Sequence, residues 1–145
     1  MIGLLQRVSQ AKVDIDSDCV AKIEQGLLVL VAVQREDTQK NIQRMFERII
    51  NYRVFADPAG KMNISLKQIN AGLILVPQFT LAANTASGNR PSFSAAAEPE
   101  AGRVLFNQLV VHAKQEYSKV QQGVFGADML VSLTNDGPVT FWLEA

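Results

Sequence analysis

The sequence is poor in the side chains on which most enzymes depend. It has one cysteine, Cys19, and one histidine, His112. A single cysteine excludes an intramolecular disulfide and fits a reducing compartment. With one Cys and one His, a zinc site would rest largely on carboxylates, an uncommon donor set. Neither a metal nor a cofactor is expected. Net charge is missing too: 14 basic residues balance 14 acidic ones. No bulk field therefore draws the chain to nucleic acid, and any polyanion contact must come from a local patch. No apolar run approaches membrane-spanning length, and the stretch from Met1 to Leu5 is too short for a signal peptide. A cytoplasmic protein with no membrane partner is expected. The Walker loop, the Gly-x-Gly-x-x-Gly fingerprint and the Gly-x-Ser-x-Gly nucleophile elbow are all absent.

What is present is ordinary globular composition, 48% hydrophobic and 19% charged, over a length that suits one domain, residues 1–145, with a real core. Leu4 to Ile15 alternates in part between apolar and polar residues and reads as a strand. Ala21-Lys22-Ile23 comes next, and Leu27 to Val33 is a continuous apolar run typical of a strand buried on both faces. Thr38 is the N-cap expected for a helix to about Arg53, whose stripe is Ile42, Met45, Phe46, Ile49 and Ile50. Asp57-Pro58-Ala59-Gly60 has turn chemistry, and Leu73 to Val76 is another buried strand. After a polar loop from Asn84 to Ser94, a second helix spans about Glu98 to Tyr117, with Phe106, Leu109, Val110, Ala113 and Tyr117 facing inward. The tail returns to strands at Val124-Phe125, Met129 to Leu133 and Val139 to Leu143. The order of elements predicts an α+β domain of mostly antiparallel, barrel-like sheet carrying two packed helices.

Two places are chemically unusual. Asn135-Asp136-Gly137-Pro138-Val139-Thr140 reads as a hairpin turn between two β-rich runs. Proline, however, has no N–H for the ladder, so Gly137-Pro138 at a strand entrance suggests a backbone carbonyl shaped for binding. Pro77-Gln78-Phe79-Thr80-Leu81 ends an apolar strand with polar groups. It is either an ordinary strand terminus or a set of donors, Thr80 Oγ and backbone N–H groups, for a carbonyl substrate. Thr80 as a nucleophile would need a base, and the only histidine lies in a helix. His112 on a mostly apolar helix reads as structural and Cys19 as incidental. Arg90 is a phosphate or carboxylate contact or simply a solvated loop residue.

Taken together, these segments resemble the D-aminoacyl-tRNA deacylases (the D-tyrosyl-tRNA deacylase family). The resemblance is carried by Gln78-Phe79-Thr80-Leu81, Arg90-Pro91-Ser92-Phe93 and Asn135 to Thr140. Gln6-Arg7-Val8, Gly60-Lys61-Met62-Asn63 and Ala127-Asp128-Met129 add to it, and the match runs through nearly the whole chain in order and spacing. It implies a homodimer with active sites shared across the interface, and a cis Gly137-Pro138 bond that enters the partner's site in a chain reversal no monomer completes. It implies Thr80 and Gln78 as the catalytic pair. Gly137, Pro138, Phe79, Pro77, Phe125 and Met129 would form the substrate wall and chiral gate, and Arg7 and Arg90 would contact tRNA or support the gate. Two positions depart from the family pattern: Pro77 stands where Ser is common, and Ser87 stands where a basic residue often precedes Gly88.

The implied reaction is hydrolysis of the ester joining a D-amino acid to the terminal ribose of tRNA. The Gly137 and Pro138 carbonyls would clash with an L-side chain, and refusing a shape is sharper than rewarding one contact. Glycine would pass such a gate, so glycyl-tRNA mischarged on alanine tRNA is an implied second substrate. The shortage of reactive side chains fits assistance by the substrate's own ribose 2′-hydroxyl, with Gln78 and Thr80 orienting the reacting end. The rival readings are a non-catalytic nucleic-acid-binding dimer and an esterase for small acyl esters, which lacks Ser-His machinery here.

Overall fold

The computed structural model describes all 145 residues. Its elements run along the chain as β1 (Ile2–Ile15), β2 (Asp18–Ile23), β3 (Gly26–Ala32), α1 (Gln39–Asn51), β4 (Arg53–Ala56), β5 (Met62–Ser65) and α2 (Leu66–Ile69). They continue as β6 (Gly72–Pro77), a 3-10 turn (Phe79–Ala82), α3 (Pro99–Glu116), β7 (Val120–Gln122) and β8 (Leu130–Glu144). No helix is long and apolar enough to cross a membrane.

The main sheet is built around β1. Its first half, Ile2 to Val8, pairs antiparallel with β3, and its second half, Ala11 to Ile15, with β2. Antiparallel β8 accompanies nearly all of β1, from Ile2↔Glu144 to Asp14↔Leu130. Beyond β3 the sheet turns parallel, β3 to β6 and β6 to β7. This suits the unbroken apolar runs of β3 and β6, whose residues are covered on both faces. The fold is therefore α+β with a barrel-like, predominantly antiparallel sheet, and the short α2 joins the two long helices. The strand order β2-β1-β3-β6-β7 is closed by a side chain. Gln121 of β7 donates through Nε2 to Lys22 O at 2.6 Å and accepts from Lys22 N at 2.6 Å, an amide acting as a ladder rung for β2.

Two apolar layers result. The larger cluster lies between sheet and helices and unites Leu5, Val29 and Leu75 with the predicted stripe of α1 and that of α3, all buried. The smaller one fills the curl of the sheet with Val8, Val13, Ile23, Leu28, Ile74 and Val76, against which Met129, Val131 and Leu133 pack. Deleting a fully buried side chain such as Ile49 or Leu28 is expected to cost about 2–5 kcal/mol. Thr38 caps α1 as expected, with its N–H bonded to Asn41 Oδ1 at 2.8 Å.

The structure corrects the sequence reading in three places. Helix α1 stops at Asn51, because Tyr52 turns extended and Arg53 opens β4. Val124-Phe125 lies outside any strand, since β7 ends at Gln122. Most consequentially, Asn135 to Thr140 is not a hairpin turn. Both halves of β8 run antiparallel to β1 on the same course, with Thr140 opposite Gln6 and Asn135 opposite Val8. The chain does not reverse there; it bulges, and Asp136 to Val139 have no register partner on β1.

Candidate active site

The Gln78–Thr80 segment is positioned by the end of a parallel pairing. Pro77 is opposite Val31, and the next amide, Gln78 N–H, donates to Val31 O at 2.7 Å. The chain then tightens into the 3-10 turn, with Leu81 N–H donating to Gln78 O at 3.3 Å and Ala83 N–H to Thr80 O at 3.1 Å. Gln78 Nε2 donates to Thr80 Oγ1 at 2.5 Å. The hydroxyl thus accepts from an amide and keeps its own proton free to donate outward. An amide cannot take that proton, so this contact does not activate Thr80 as a nucleophile. His112 is half-buried and packs edge-to-face on Phe46 with ring centroids 5.2 Å apart, in a groove between α1 and α3.

Apolar walls stand beside this segment. Phe79, 52% exposed, packs on Phe93 with centroids 5.1 Å apart. Pro77, Phe79, Ala97, Pro99, Phe125 and Gly126 line a cavity of about 270 Å³. Met129 lies behind it and accepts the Val124 N–H on its sulfur at 3.3 Å. Of the residues named from sequence, Pro77, Gln78, Phe79, Thr80, Phe125 and Met129 are therefore brought to one neighbourhood. Ala97 and Pro99 were not legible in the sequence, because nothing in an alanine or a helix-opening proline signals a cavity wall.

The Gly137-Pro138 bulge forms a second centre. Its peptide bond is cis, as the resemblance implies, and both residues are exposed. Side chains hold the bulge by its backbone. Asn135 Oδ1 accepts the Val139 N–H at 2.7 Å, and Asn135 Nδ2 donates to Thr140 Oγ1 at 2.9 Å. Arg7 Nε donates to Asp136 O at 2.9 Å, lies 3.4 Å from the Asp136 carboxylate, and Nη1 donates to Val54 O at 2.6 Å. Arg7 thereby joins the bulge to β4. At Gly137 φ is +139°, and a Cβ there would lie 2.6 Å from Val139 Cγ2 and 3.1 Å from the Arg7 guanidinium. Only glycine suits that position.

Next to Arg7's second anchor stands the β4–β5 hairpin, whose tip is Asp57 to Gly60. Asp57 accepts from Asn63 Nδ2 at 2.8 Å and from the Lys61 and Ala59 amides at 2.9 Å each. These bonds, Asn63 first, hold its carboxyl below the usual carboxylate range. Arg90 is exposed in the loop between Asn84 and Ser92, which bond to each other through their backbones.

The two centres do not meet within one chain. On β1 the bulge stands between Gln6 and Val8, whereas Pro77 is level with Gly3 through Val31. Four residues of strand separate these levels, about 13 Å, and β1 and β3 lie between β8 and β6.

Comparison with known proteins identifies the family of the chain. A family model described as D-Tyr-tRNA(Tyr) deacylase matches residues 4–144. Proteins named D-aminoacyl-tRNA deacylase are similar over nearly their full length. One from Legionella pneumophila (strain Corby) is 56% identical over 144 residues, 99% of both chains. One from Francisella tularensis subsp. tularensis (strain WY96-3418) is 56% identical over 141 residues, 97% of each. Among solved structures, one titled c-Myc DNA Unwinding Element Binding Protein superposes with a TM-score of 0.95 at 35% identity, covering 100% of this chain and 99% of the other. A probable eukaryotic D-amino acid tRNA deacylase shares the fold, with a TM-score of 0.86 at 16% identity over 99% and 98% of the two chains. With a family model spanning nearly all of it and relatives this similar end to end, the chain belongs to the D-Tyr-tRNA(Tyr) deacylase family and is a hydrolase.

Proposed function

We propose that residues 1–145 act as one domain that hydrolyses the ester of D-aminoacyl-tRNA, and that the discrimination is done by the backbone of the Gly137-Pro138 bulge. The carbonyls of these two residues would stand where an L-side chain has to go. The observation that carries this reading is the division of the site. The bulge is braced by Arg7 and Asn135 and is exposed, while Gln78 and Thr80 stand beside a cavity at another level of the sheet. A second copy supplying its bulge to the Gln78–Thr80 site joins the two. The active unit is accordingly a homodimer with two shared sites.

In that site Gln78 and Thr80 orient the reacting end, with the free Thr80 proton available to the ester, and Pro77, Phe79, Phe125 and Met129 wall the substrate. The adenosine ribose 2′-hydroxyl assists the attacking water, in keeping with a Thr80 whose partner is an amide. Glycine has no side chain to clash, so glycyl-tRNA is hydrolysed too. Arg90 is a contact for the tRNA acceptor end. The chain works in the cytoplasm, where its substrate is made.

The name of one solved relative attaches DNA binding to that protein. Zero net charge here favours a grip on the acceptor end over general nucleic-acid binding. One assay separates the readings: D-tyrosyl-tRNA, L-tyrosyl-tRNA and a free amino-acid ester at equal enzyme. The deacylase cleaves the first alone; a binder cleaves none, and a general esterase cleaves the free ester without chiral preference. D-tyrosyl-tRNA lacking the terminal 2′-hydroxyl should be cleaved far more slowly, and undiminished turnover would return Thr80 to candidacy as nucleophile.

A further inference from the structure

Pro77 closes β6 with a residue that has no backbone N–H, and this has a consequence that the deacylase reading does not use. In the β6–β7 ladder, Leu73 N–H donates to Lys119 O at 2.9 Å, and Gly123 N–H donates to Leu75 O at 2.9 Å. The pairing Leu73↔Val120, Ile74↔Gln121 and Leu75↔Gln122 advances both strands together. Residue 77 is therefore the next β6 position facing β7, and its N–H would donate to Gly123 O, as that of Leu73 does to Lys119 O. Proline has no N–H. The ladder ends one bond early, and no other group in the chain donates to Gly123 O.

Gly123 stands at the root of a cavity wall. The glycine is buried between Pro77 and Met129: a Cβ on it would lie 2.7 Å from Met129 Sδ and 3.4 Å from Pro77 Cδ. The segment from Gly123 to Met129 then carries Phe125 and Gly126 into the cavity lining. Its bonds are local, Val124 N–H to Met129 Sδ and Ala127 N–H to Val124 O at 3.3 Å each, so its tie to β6 is the Gly123 N–H alone.

We infer that Pro77, besides lining the cavity, acts on substrate selection through its backbone: by withholding one ladder hydrogen bond it leaves the Gly123–Met129 wall, otherwise held by the packing of Phe125 and Met129, with a single backbone hydrogen bond to β6 and so widens the range of aminoacyl side chains the site accepts. This rests on the deacylase reading of the cavity. A residue with an N–H at position 77 pins Gly123 O to β6, fixes Phe125, and narrows admission. A ladder hydrogen bond has a net worth corresponding to roughly threefold to tenfold in an equilibrium, which sets the size of the effect.

The test uses Pro77→Ala and Pro77→Ser in the full chain. Both supply the N–H; only the second supplies the hydroxyl. In each, the new amide at 77 should be protected from hydrogen exchange. KM for D-tyrosyl-tRNA should rise about threefold to tenfold relative to KM for D-alanyl-tRNA, with kcat moving less. An unprotected amide at 77, an unchanged KM ratio, or a change in the serine variant alone would overturn the inference, the last by assigning the effect to the hydroxyl. Failure of the wild-type chain to cleave either substrate would instead remove the deacylase reading, while leaving amide protection to report on the ladder.

Discussion

The two centres of this molecule are held in opposite ways. The Asn135–Val139 bulge is fixed through its main chain: Asn135 takes the Val139 N–H and donates to Thr140, and Arg7 grips Asp136 O while anchored on Val54 O. The Gln78–Thr80 segment has one side-chain bond of its own, Gln78 to Thr80, and an exposed aromatic pair, Phe79 on Phe93. The part proposed to reject substrates is thus braced by side chains from outside it, whereas the part proposed to orient them is held by main-chain bonds, Gln78 N–H to Val31 O and the 3-10 turn, with its side chains exposed or half-buried. A filter that works by clash must not yield, because each small displacement admits the wrong enantiomer. A pair of orienting groups can tighten when the substrate arrives.

That contrast can be broken most forcefully at Gly137. Gly137→Ala puts a Cβ 2.6 Å from Val139 Cγ2 at a backbone angle L-residues avoid. Hydrolysis of D-tyrosyl-tRNA should fall by about 100-fold or more, the scale of a misplaced reacting group, with the D-over-L ratio collapsing; unchanged discrimination would count against the gate. Arg7→Ala comes next. It removes charged donors from Asp136 O and from Val54 O. Denaturant unfolding should show a loss of about 2–3 kcal/mol, together with a lower D-over-L ratio. A stability loss with chirality intact would make Arg7 a fold residue only. Asn135→Ala removes the partner of Val139 N–H and should cost about 1–2 kcal/mol by the same measurement.

The other centre should respond in the reverse pattern. Thr80 is exposed, so Thr80→Ala should change stability by no more than about 0.5 kcal/mol while slowing turnover and leaving the D-over-L ratio alone. The smallest effect concerns pH. Asp57 is held below the usual carboxylate range by Asn63 and by the Lys61 and Ala59 amides. Its contribution to stability is therefore complete above the unfolded carboxyl pKa of about 3.9 and is lost as pH falls through the lower folded value. Asp57→Asn should make the fall in stability below about pH 4 shallower, the rest of the fall remaining with Asp14 and Glu100, which Lys12 and Arg103 also hold low.

Much of this was legible in the sequence, for identifiable reasons. The stripes Ile42–Ile50 and Phe106–Tyr117 are strict helical repeats with one buried face each, and both helices formed where the pattern required. The apolar runs of β3 and β6 implied strands covered on both faces, though not that they pair parallel. The short elements escaped: β4, β5, α2 and β7 are three to four residues long, below the length at which periodicity speaks. The bulge is not legible because Asn-Asp-Gly-Pro is good turn chemistry, and only the pairing of both flanks with β1 distinguishes a bulge from a hairpin. At the site, residue identities pointed to Gln78, Thr80 and Gly137. The Val54 carbonyl, Arg7's anchor, was invisible because any residue at 54 would present the same group.

In the proposed dimer each site takes its gate from one copy and its orienting groups from the other, and subunit complementation distinguishes this from a site built within one chain. One variant carries Gly137→Ala; the other carries Gln78→Ala and Thr80→Ala, and the two are unfolded together and refolded as a mixture. If the site is shared, each heterodimer regains one intact site, and D-selective hydrolysis in the mixture should rise well above that of either parent refolded alone. If gate and orienting groups act within a single chain, every site keeps a defect. Activity in the mixture would then stay at the parental level, and the shared site would be ruled out.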